Sequence, residues 1–223
     1  MSMIYFPSCK FTAKYPKLSG IVKDYLREKF DAEVAGCCRP SLNKISEADT
    51  LIYVCNTCAT FFKESSRAGK IISLWELMLE DDTFPYPNYQ HQTMTVQDCW
   101  RTHDDRAEQD AVREVLRRLN IEVVELKENR ELTKFCGYSL YEPLPPRYAE
   151  LAPKRLGQEA EGLFVSHTQE EKERLMREYC RQITTENVVC YCVACVNGIN
   201  LGGKRGLHLA ELTFSNQLGA QQV

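Results

Sequence analysis

Nine of the eleven cysteines in this 223-residue chain fall into two sets. The first is Cys9, the adjacent Cys37 and Cys38, and the pair Cys55-x-x-Cys58. The second is Cys99, Cys136 and the pair Cys192-x-x-Cys195, while Cys180 and Cys190 stand apart. Thiolates are nucleophiles and soft metal ligands, so such sets read as disulfides, metal or cluster sites, or redox thiols. The doublet narrows the choice. A disulfide wants Cα atoms roughly 4.4–6.8 Å apart with suitably directed Cβ atoms, which adjacent residues reach only with a distorted backbone. Two side chains leaving neighbouring positions can instead reach two atoms of one metal cluster. Five thiolates also exceed the four that a zinc or cubane site uses, so a cluster with a bridging or extra thiolate accounts for the first set. Buried core thiols are the bland alternative.

Four thiols in the second set admit a tetrahedral zinc, a cubane, or a site in which Cys190 joins them. In a strand, residues two apart share a face, so Cys190 and Cys192 point the same way. The competing reading leaves Cys190 as a buried strand residue. Cys180 lies on the apolar stripe of its helix and is read as core.

The elements that position these residues occur twice. Cys9 precedes an amphipathic helix carrying Leu18, Ile21, Val22, Tyr25 and Leu26, then the short strand "DAEV", with Glu33 24 positions after Cys9. Cys99 precedes a helix carrying Ala111, Val112, Val115, Leu116 and Leu119, then "NIEVVEL", with Glu122 23 positions on. "TLIYVCNTC" and "NVVCYCVAC" are apolar strands running into the two Cys-x-x-Cys pairs. "SLWELM" follows the first pair and "HLAELT" the second, with Glu76 18 positions past Cys58 and Glu211 16 past Cys195. Four landmarks in one order predict an α/β fold of two homologous Rossmann-like halves, with mostly parallel sheets. The cysteines then fall at strand C-terminal ends, where such sheets build sites. The first half is read as residues 1–85 and the second as 92–223, separated by the Pro- and Tyr-rich "TFPYPNYQHQ". The second half carries an insertion at 139–157, "SLYEPLPPRYAELAPKRLG", and then an amphipathic helix with Leu175, Met176, Tyr179, Cys180 and Ile183 on its apolar face. Aligning the halves puts Phe135 at the place of Cys37 and Cys136 at that of Cys38.

Composition bounds the setting. A chain this long buries roughly 70% of its unfolded surface and needs no disulfide to hold a core. The net charge is −3 with no stripe of Lys and Arg, which argues against nucleic acid. No apolar run approaches the ~20 residues of a membrane span, and "MSMIYFPSC" lacks the parts of a signal peptide. A cytoplasmic location is expected, where clustered cysteines bind metal or do redox work more often than they form structural disulfides.

The repeated pattern Cys…Cys-Cys…Cys-x-x-Cys, with "IYFPSC" before Cys9, "VQDC" before Cys99 and the terminal "HLAEL", resembles the cysteine-rich CCG domain family, that of the catalytic subunit of heterodisulfide reductase. The resemblance covers nearly the whole chain. It implies that Cys9, Cys37, Cys38, Cys55 and Cys58 bind a noncubane [4Fe–4S] cluster. It further implies a thiol or disulfide small-molecule substrate and a ferredoxin-like or flavoprotein electron-transfer partner. Cys99, Cys136, Cys192 and Cys195 are the expected metal ligands of the second half, for zinc or a second iron–sulfur cluster. Arg39 stands where the family has glycine, Phe135 where it has the first cysteine of the second doublet, and Trp100 where it commonly has histidine. The expected function is thus an iron–sulfur thiol/disulfide oxidoreductase or electron-transfer protein. The alternatives are a non-catalytic metal-stabilised assembly subunit and a sulfur-carrier or cluster-delivery protein.

Lesser signals weigh little. "GINLGGKR" (198–205) matches the first seven positions of a phosphate-binding loop and fails at Arg205. His103, beside Asp104 and Asp105, is expected to cap the helix that follows. Trp100 is expected to shield the second site from water.

Overall fold

The computed structural model describes residues 2–220. It is an α/β fold made of two four-stranded, all-parallel sheets of the same strand order. In the first half, β1 (Met3–Phe6) leads through α1 (Cys9–Lys14) and α2 (Pro16–Phe30) to β2 (Glu33–Val34). The chain then passes α3 (Cys38–Ser41) to β3 (Thr50–Tyr53), α4 (Asn56–Ser65), β4 (Lys70–Ser73) and α5 (Leu74–Met78). The second half repeats the plan: β5 (Gln92–Gln97), a 3₁₀ turn at Trp100–Thr102, α6 (Arg106–Arg118) and β6 (Ile121–Glu125). The insertion contributes a 3₁₀ turn (Gly137–Tyr141), α7 (Pro146–Leu151) and a π-helical turn (Pro153–Gln158), and α8 (Gln169–Cys180) follows. The chain ends through β7 (Asn187–Cys190), α9 (Val193–Leu201), β8 (Arg205–His208), α10 (Leu209–Thr213) and α11 (Ser215–Ala220).

Sheet order is β2-β1-β3-β4 in one half and β6-β5-β7-β8 in the other. Phe6 lies opposite Tyr53 and Gln97 opposite Cys190, so the central strands end in register. The repeated glutamates have a local cause. Ser73 and His208 are N-caps whose side chains accept from the first turns of α5 and α10, and Glu76 and Glu211 return hydrogen bonds to the cap backbones. His208 is fully buried, and burial pushes its pKa down to about 3, so it caps as a neutral imidazole.

The halves share two apolar cores. Leu18, Val22 and Leu26 of α2 join Trp75 of α5, Val112 and Val115 of α6 and Phe214 beyond α10 in a single buried cluster. α11 returns from the second half onto α2 of the first. On the opposite side, α4 is held by the turn after Cys99: Thr60 Oγ1 donates to the Arg101 carbonyl at 3.3 Å, and Asn56 Nδ2 donates to Thr102 Oγ1. The insertion also docks on α4. Ser65 Oγ donates to the Leu151 carbonyl at 2.7 Å, and the Glu64 carboxylate accepts from the backbone N–H groups of Lys154 and Arg155 at 2.8 and 2.9 Å.

One reading of local sequence changes here and another is reinforced. The cap of α6 is Asp105, whose carboxylate accepts from the Glu108 N–H at 3.2 Å; His103 lies two residues too early and pairs with Arg155 instead. "GINLGGKR" runs from the end of α9 into β8, the reverse of the strand-to-helix order that makes a phosphate loop.

Candidate metal centres

All nine clustered cysteines lie at the start of a helical element. Cys37, Cys55, Cys99, Cys136 and Cys192 are N-caps, Cys9 and Cys38 are first residues, and Cys58 and Cys195 sit in first turns. The cause is visible in the two Cys-x-x-Cys pairs. No side chain makes a cap hydrogen bond at α4 or α9; the backbone N–H of the cysteine three residues on acts on the cap sulfur electrostatically and lowers its pKa. The positive end of the helix dipole favours a thiolate's charge at these positions.

In the first half, Cys9, Cys37, Cys38, Cys55 and Cys58 line one cavity of about 110 Å³, together with Ser8, Lys10, Arg39, Thr57, Phe61 and Tyr148. Cys58 is hydrogen-bonded to both Cys38 and Cys55, and Cys9 to Cys37. The Cys58 thiol, its N–H and the Ser8 hydroxyl together bring the Cys55 thiol down to about 6, against burial. Burial opposes ionisation of Cys37 as well, but hydrogen bonds from the Arg39 side chain and backbone and from Cys9 lower its pKa. Cys9 is exposed and Cys37 half-buried, so the cavity has a mouth; Cys38 and Cys58 form its floor. Tyr148 comes from the insertion of the second half and rests edge-on against Phe61 at 5.2 Å. The insertion therefore walls the first site.

The second site is smaller and closed. The sulfurs of Cys99, Cys192 and Cys195 all lie within 4.8 Å of one another, and all three residues are buried. Cys136, also buried, is hydrogen-bonded to Cys99, which places a fourth sulfur beside the triad. Hydrogen bonds from Cys195 and Cys99 hold Cys192 well below an ordinary thiol, and that from Cys99 lowers Cys136. Cys99 itself is pushed up, by those same hydrogen bonds and by burial. This buried cysteine group is able to hold a metal ion or a cluster.

Arg101 sharpens that fit. It is 4% exposed, and its Nε donates to Cys136 Sγ at 3.1 Å. Burial opposes its charge, yet the neighbouring thiolates of Cys136, Cys99 and Cys192 outweigh burial and raise its pKa. Its Nη1 is buried with no hydrogen-bond partner. A fixed cation with a spare donor is what a group of three or four thiolates around a metal needs, since the assembly carries net negative charge.

Beneath the site, Asp98 is fully buried. It receives Arg113 through two hydrogen bonds of 2.9 and 2.7 Å, and the Tyr191 hydroxyl at 2.7 Å. This network fixes the strand end from which Cys99 leaves. Trp100 is buried with the Arg155 guanidinium 5.7 Å from its ring centroid and Phe164 edge-on at 5.5 Å, closing the outer side.

The remaining cysteines stay outside. Cys190 ends β7, fully buried, and is not among the grouped sulfurs; Phe135, at the place of Cys37, stacks on Tyr179 with centroids 4.4 Å apart. Cys180 packs in the core with its thiol directed at the Ile199 carbonyl. Sequence reasoning missed Arg101 and Tyr148. Arg101 had a signal, two residues after Cys99, whereas Tyr148 reaches the other half's site only through the tertiary fold. Among the described residues, no helix is long and apolar enough to cross a membrane.

No family model and no curated protein matches the chain. Among solved structures, an aspartate racemase homologue from Pyrococcus horikoshii OT3 aligns over 100% of this chain and 99% of its own, with 12% identity and a TM-score of 0.33.

Proposed function

We propose that this chain is an iron–sulfur redox protein acting on thiols or disulfides, of the kind its cysteine pattern resembles. In this reading Cys9, Cys37, Cys38, Cys55 and Cys58 hold a [4Fe–4S] cluster of noncubane type. Such a cluster supplies single electrons and an iron with affinity for a substrate sulfur. The observation that carries the reading is the shared cavity: five thiols, no carboxylate and no imidazole among its lining residues, with a mouth at Cys9 and Cys37. An all-sulfur donor set selects soft metals and iron–sulfur clusters over magnesium or calcium. The residues around it have separable tasks. Helix starts and the Ser8 hydroxyl favour the thiolate of Cys55, Arg39 favours that of Cys37, and Phe61 with Tyr148 excludes water from one side. Electrons come from outside the chain, from a ferredoxin-like or flavoprotein partner.

A second reading rests on the other site. The buried triad with its arginine is suited to a permanently held metal, so zinc or a second cluster there has a structural task. If the first site holds nothing, the chain is a metal-stabilised assembly subunit.

The deciding experiment is iron, acid-labile sulfide and zinc content of anaerobically purified protein, with EPR of oxidised and reduced samples. Roughly four irons at the first site, with an EPR signal altered by added thiol, is the expected result. Zinc without iron after anaerobic reconstitution would rule out the redox reading and leave the structural one.

A further inference from the structure

A second depression adjoins the first site at Lys10. Lys10 lines the five-cysteine cavity and also a surface groove of about 480 Å³, shared with Ala13, Lys14, Tyr138, Val193, Ala194 and Asn197. This groove runs from the start of α1 in the first half to the start of α9 in the second. At its second-half end the groove is lined by Val193 and Ala194, the two residues between Cys192 and Cys195 in the sequence.

Its charge is one-sided. The chain has 31 acidic residues against 28 basic ones. Yet Lys10, Lys14 and Arg39 line the cavity and groove, and no Asp or Glu does. None of the three cations forms an ion pair with a carboxylate among the described residues, and Arg39 faces the Cys37 thiol. Lys14 donates to the amide oxygen of Asn197 across the groove. Glu211 acts on Lys14 from nearby, but its carboxylate already accepts from the His208 N–H at 2.8 Å. Lys10 and Lys14 are four apart on one helix, a like-charge spacing that is unfavourable without an anion between them. Between the cations the wall is apolar: Ala13, Val193, Ala194 and the Tyr138 ring.

We infer that this groove binds the non-reacting part of the substrate, and that the substrate is a small thiol or disulfide bearing a carboxylate or comparable anion on a short aliphatic arm. The inference rests on the proposed function for the sulfur end and on the groove alone for the anionic end. The sulfur lies at the mouth formed by Cys9 and Cys37. The aliphatic arm lies on the apolar wall, and the anion reaches Lys10, next to Cys9, and Lys14, about one helical turn (~5–6 Å) beyond Lys10 along α1.

Unreactive thioethers separate binding from redox chemistry. Calorimetric titration of the whole protein with thiodipropionate, a dianion, and thiodiglycol, its neutral counterpart, is the test. The dianion is expected to bind at least about tenfold more tightly, a difference equal to one strong charge contact, and the preference is expected to shrink as salt is raised. In Lys10→Ala/Lys14→Ala, both exposed positions, the preference disappears while thiodiglycol binding stays; Lys14→Arg retains it. Equal binding of the two ligands, or a preference that survives the double substitution, would overturn the inference. Metal analysis on the same samples keeps the two conclusions apart. Anion preference in protein that takes up no iron supports the groove and removes the iron–sulfur reading; iron-loaded protein without preference removes the groove.

Discussion

The loops after β2 and after β6 occupy equivalent places, yet one carries Cys37-Cys38-Arg39 and the other Phe135-Cys136-Gly137. In the second half, Gly137 has φ +61°, and a Cβ there would stand 1.9 Å from the Ala194 carbonyl oxygen. Across from it, a Cβ on Gly198 would stand 2.7 Å from the Gly137 Cα. Two glycines let the loop lie directly on the start of α9, and Cys136 is carried in against Cys99. In the first half the matching positions are Arg39 and Phe61. Two large side chains forbid that approach, and Phe61 turns to Tyr148 instead. The loop stands off, the five sulfurs spread around a cavity, and Cys9 and Cys37 reach solvent. One fold thus offers a sealed thiol site and an open one, and the difference lies in two positions per half.

Backbone contact is the strongest lever on that difference. Gly137→Ala meets both a positive φ and a main-chain clash, so it is expected to cost about 3 kcal/mol or more. Gly36, beside Cys37 in the first loop, has open space where a Cβ would go, and Gly36→Ala is expected to change stability by less than about 1 kcal/mol. Urea denaturation of both variants checks this; equal losses would mean that the close approach does not seal the second site.

Thiol accessibility should divide in the same way. In metal-free, reduced protein, Cys9 and Cys37 are expected to alkylate rapidly under native conditions. Cys99, Cys136, Cys192 and Cys195 should react on the order of a hundredfold more slowly, because modification waits for opening of the fold. Mass spectrometry over a time course reads the order directly. Early modification of Cys136 would break the contrast.

Arg101 is the next lever. Arg101→Met keeps much of the apolar stem but removes the cation from Cys136 and from the thiolate triad. Metal affinity of the second site is expected to fall roughly 10–100-fold, the usual scale for an outer partner of a metal ligand, with the reactivity of the first-site thiols unaffected. Competition with a chromophoric chelator measures it. Unchanged affinity would reduce Arg101 to packing.

The contrast was only partly legible in the sequence. The repeat itself was, because strands entering Cys-x-x-Cys pairs and the Ser73/Glu76 and His208/Glu211 boxes are local patterns. Gly137 and Gly198 were visible as residues, but a glycine acquires meaning only from what approaches it, here a backbone from a distant part of the chain. His103 misled for the opposite reason. Asp104 and Asp105 both offered better caps, and the choice depended on where Arg155 of the insertion landed. Tyr148 had no local signal. It sits in a segment without periodicity, and it joins the first site because Glu64 caps the chain that follows it.

The smallest expected effect concerns the seam between the two sites. Glu108 of α6 is 1% exposed and receives Asn56 Nδ2 of α4 at 3.3 Å, so it lies where the halves meet. Burial, then the nearby Asp105 charge, raises its pKa well above the ordinary carboxylate value of 4.5. A raised folded-state pKa means that the folded chain binds this proton more tightly than the unfolded chain does. Its contribution to stability is therefore complete below pH 4.5 and is lost as pH rises through the folded-state value. Glu108→Gln keeps the shape and an acceptor for Asn56 without the titration. The variant is expected to lose that downward slope and to melt a few degrees higher than the parent at alkaline pH, with little change in acid. Melting curves across the pH range decide it. A parent whose stability does not fall with rising pH relative to Glu108→Gln would show that water or Lys63 already compensates the charge at the seam. The sealed and open sites would then be joined by an ordinary ionised contact and not by a buried acid.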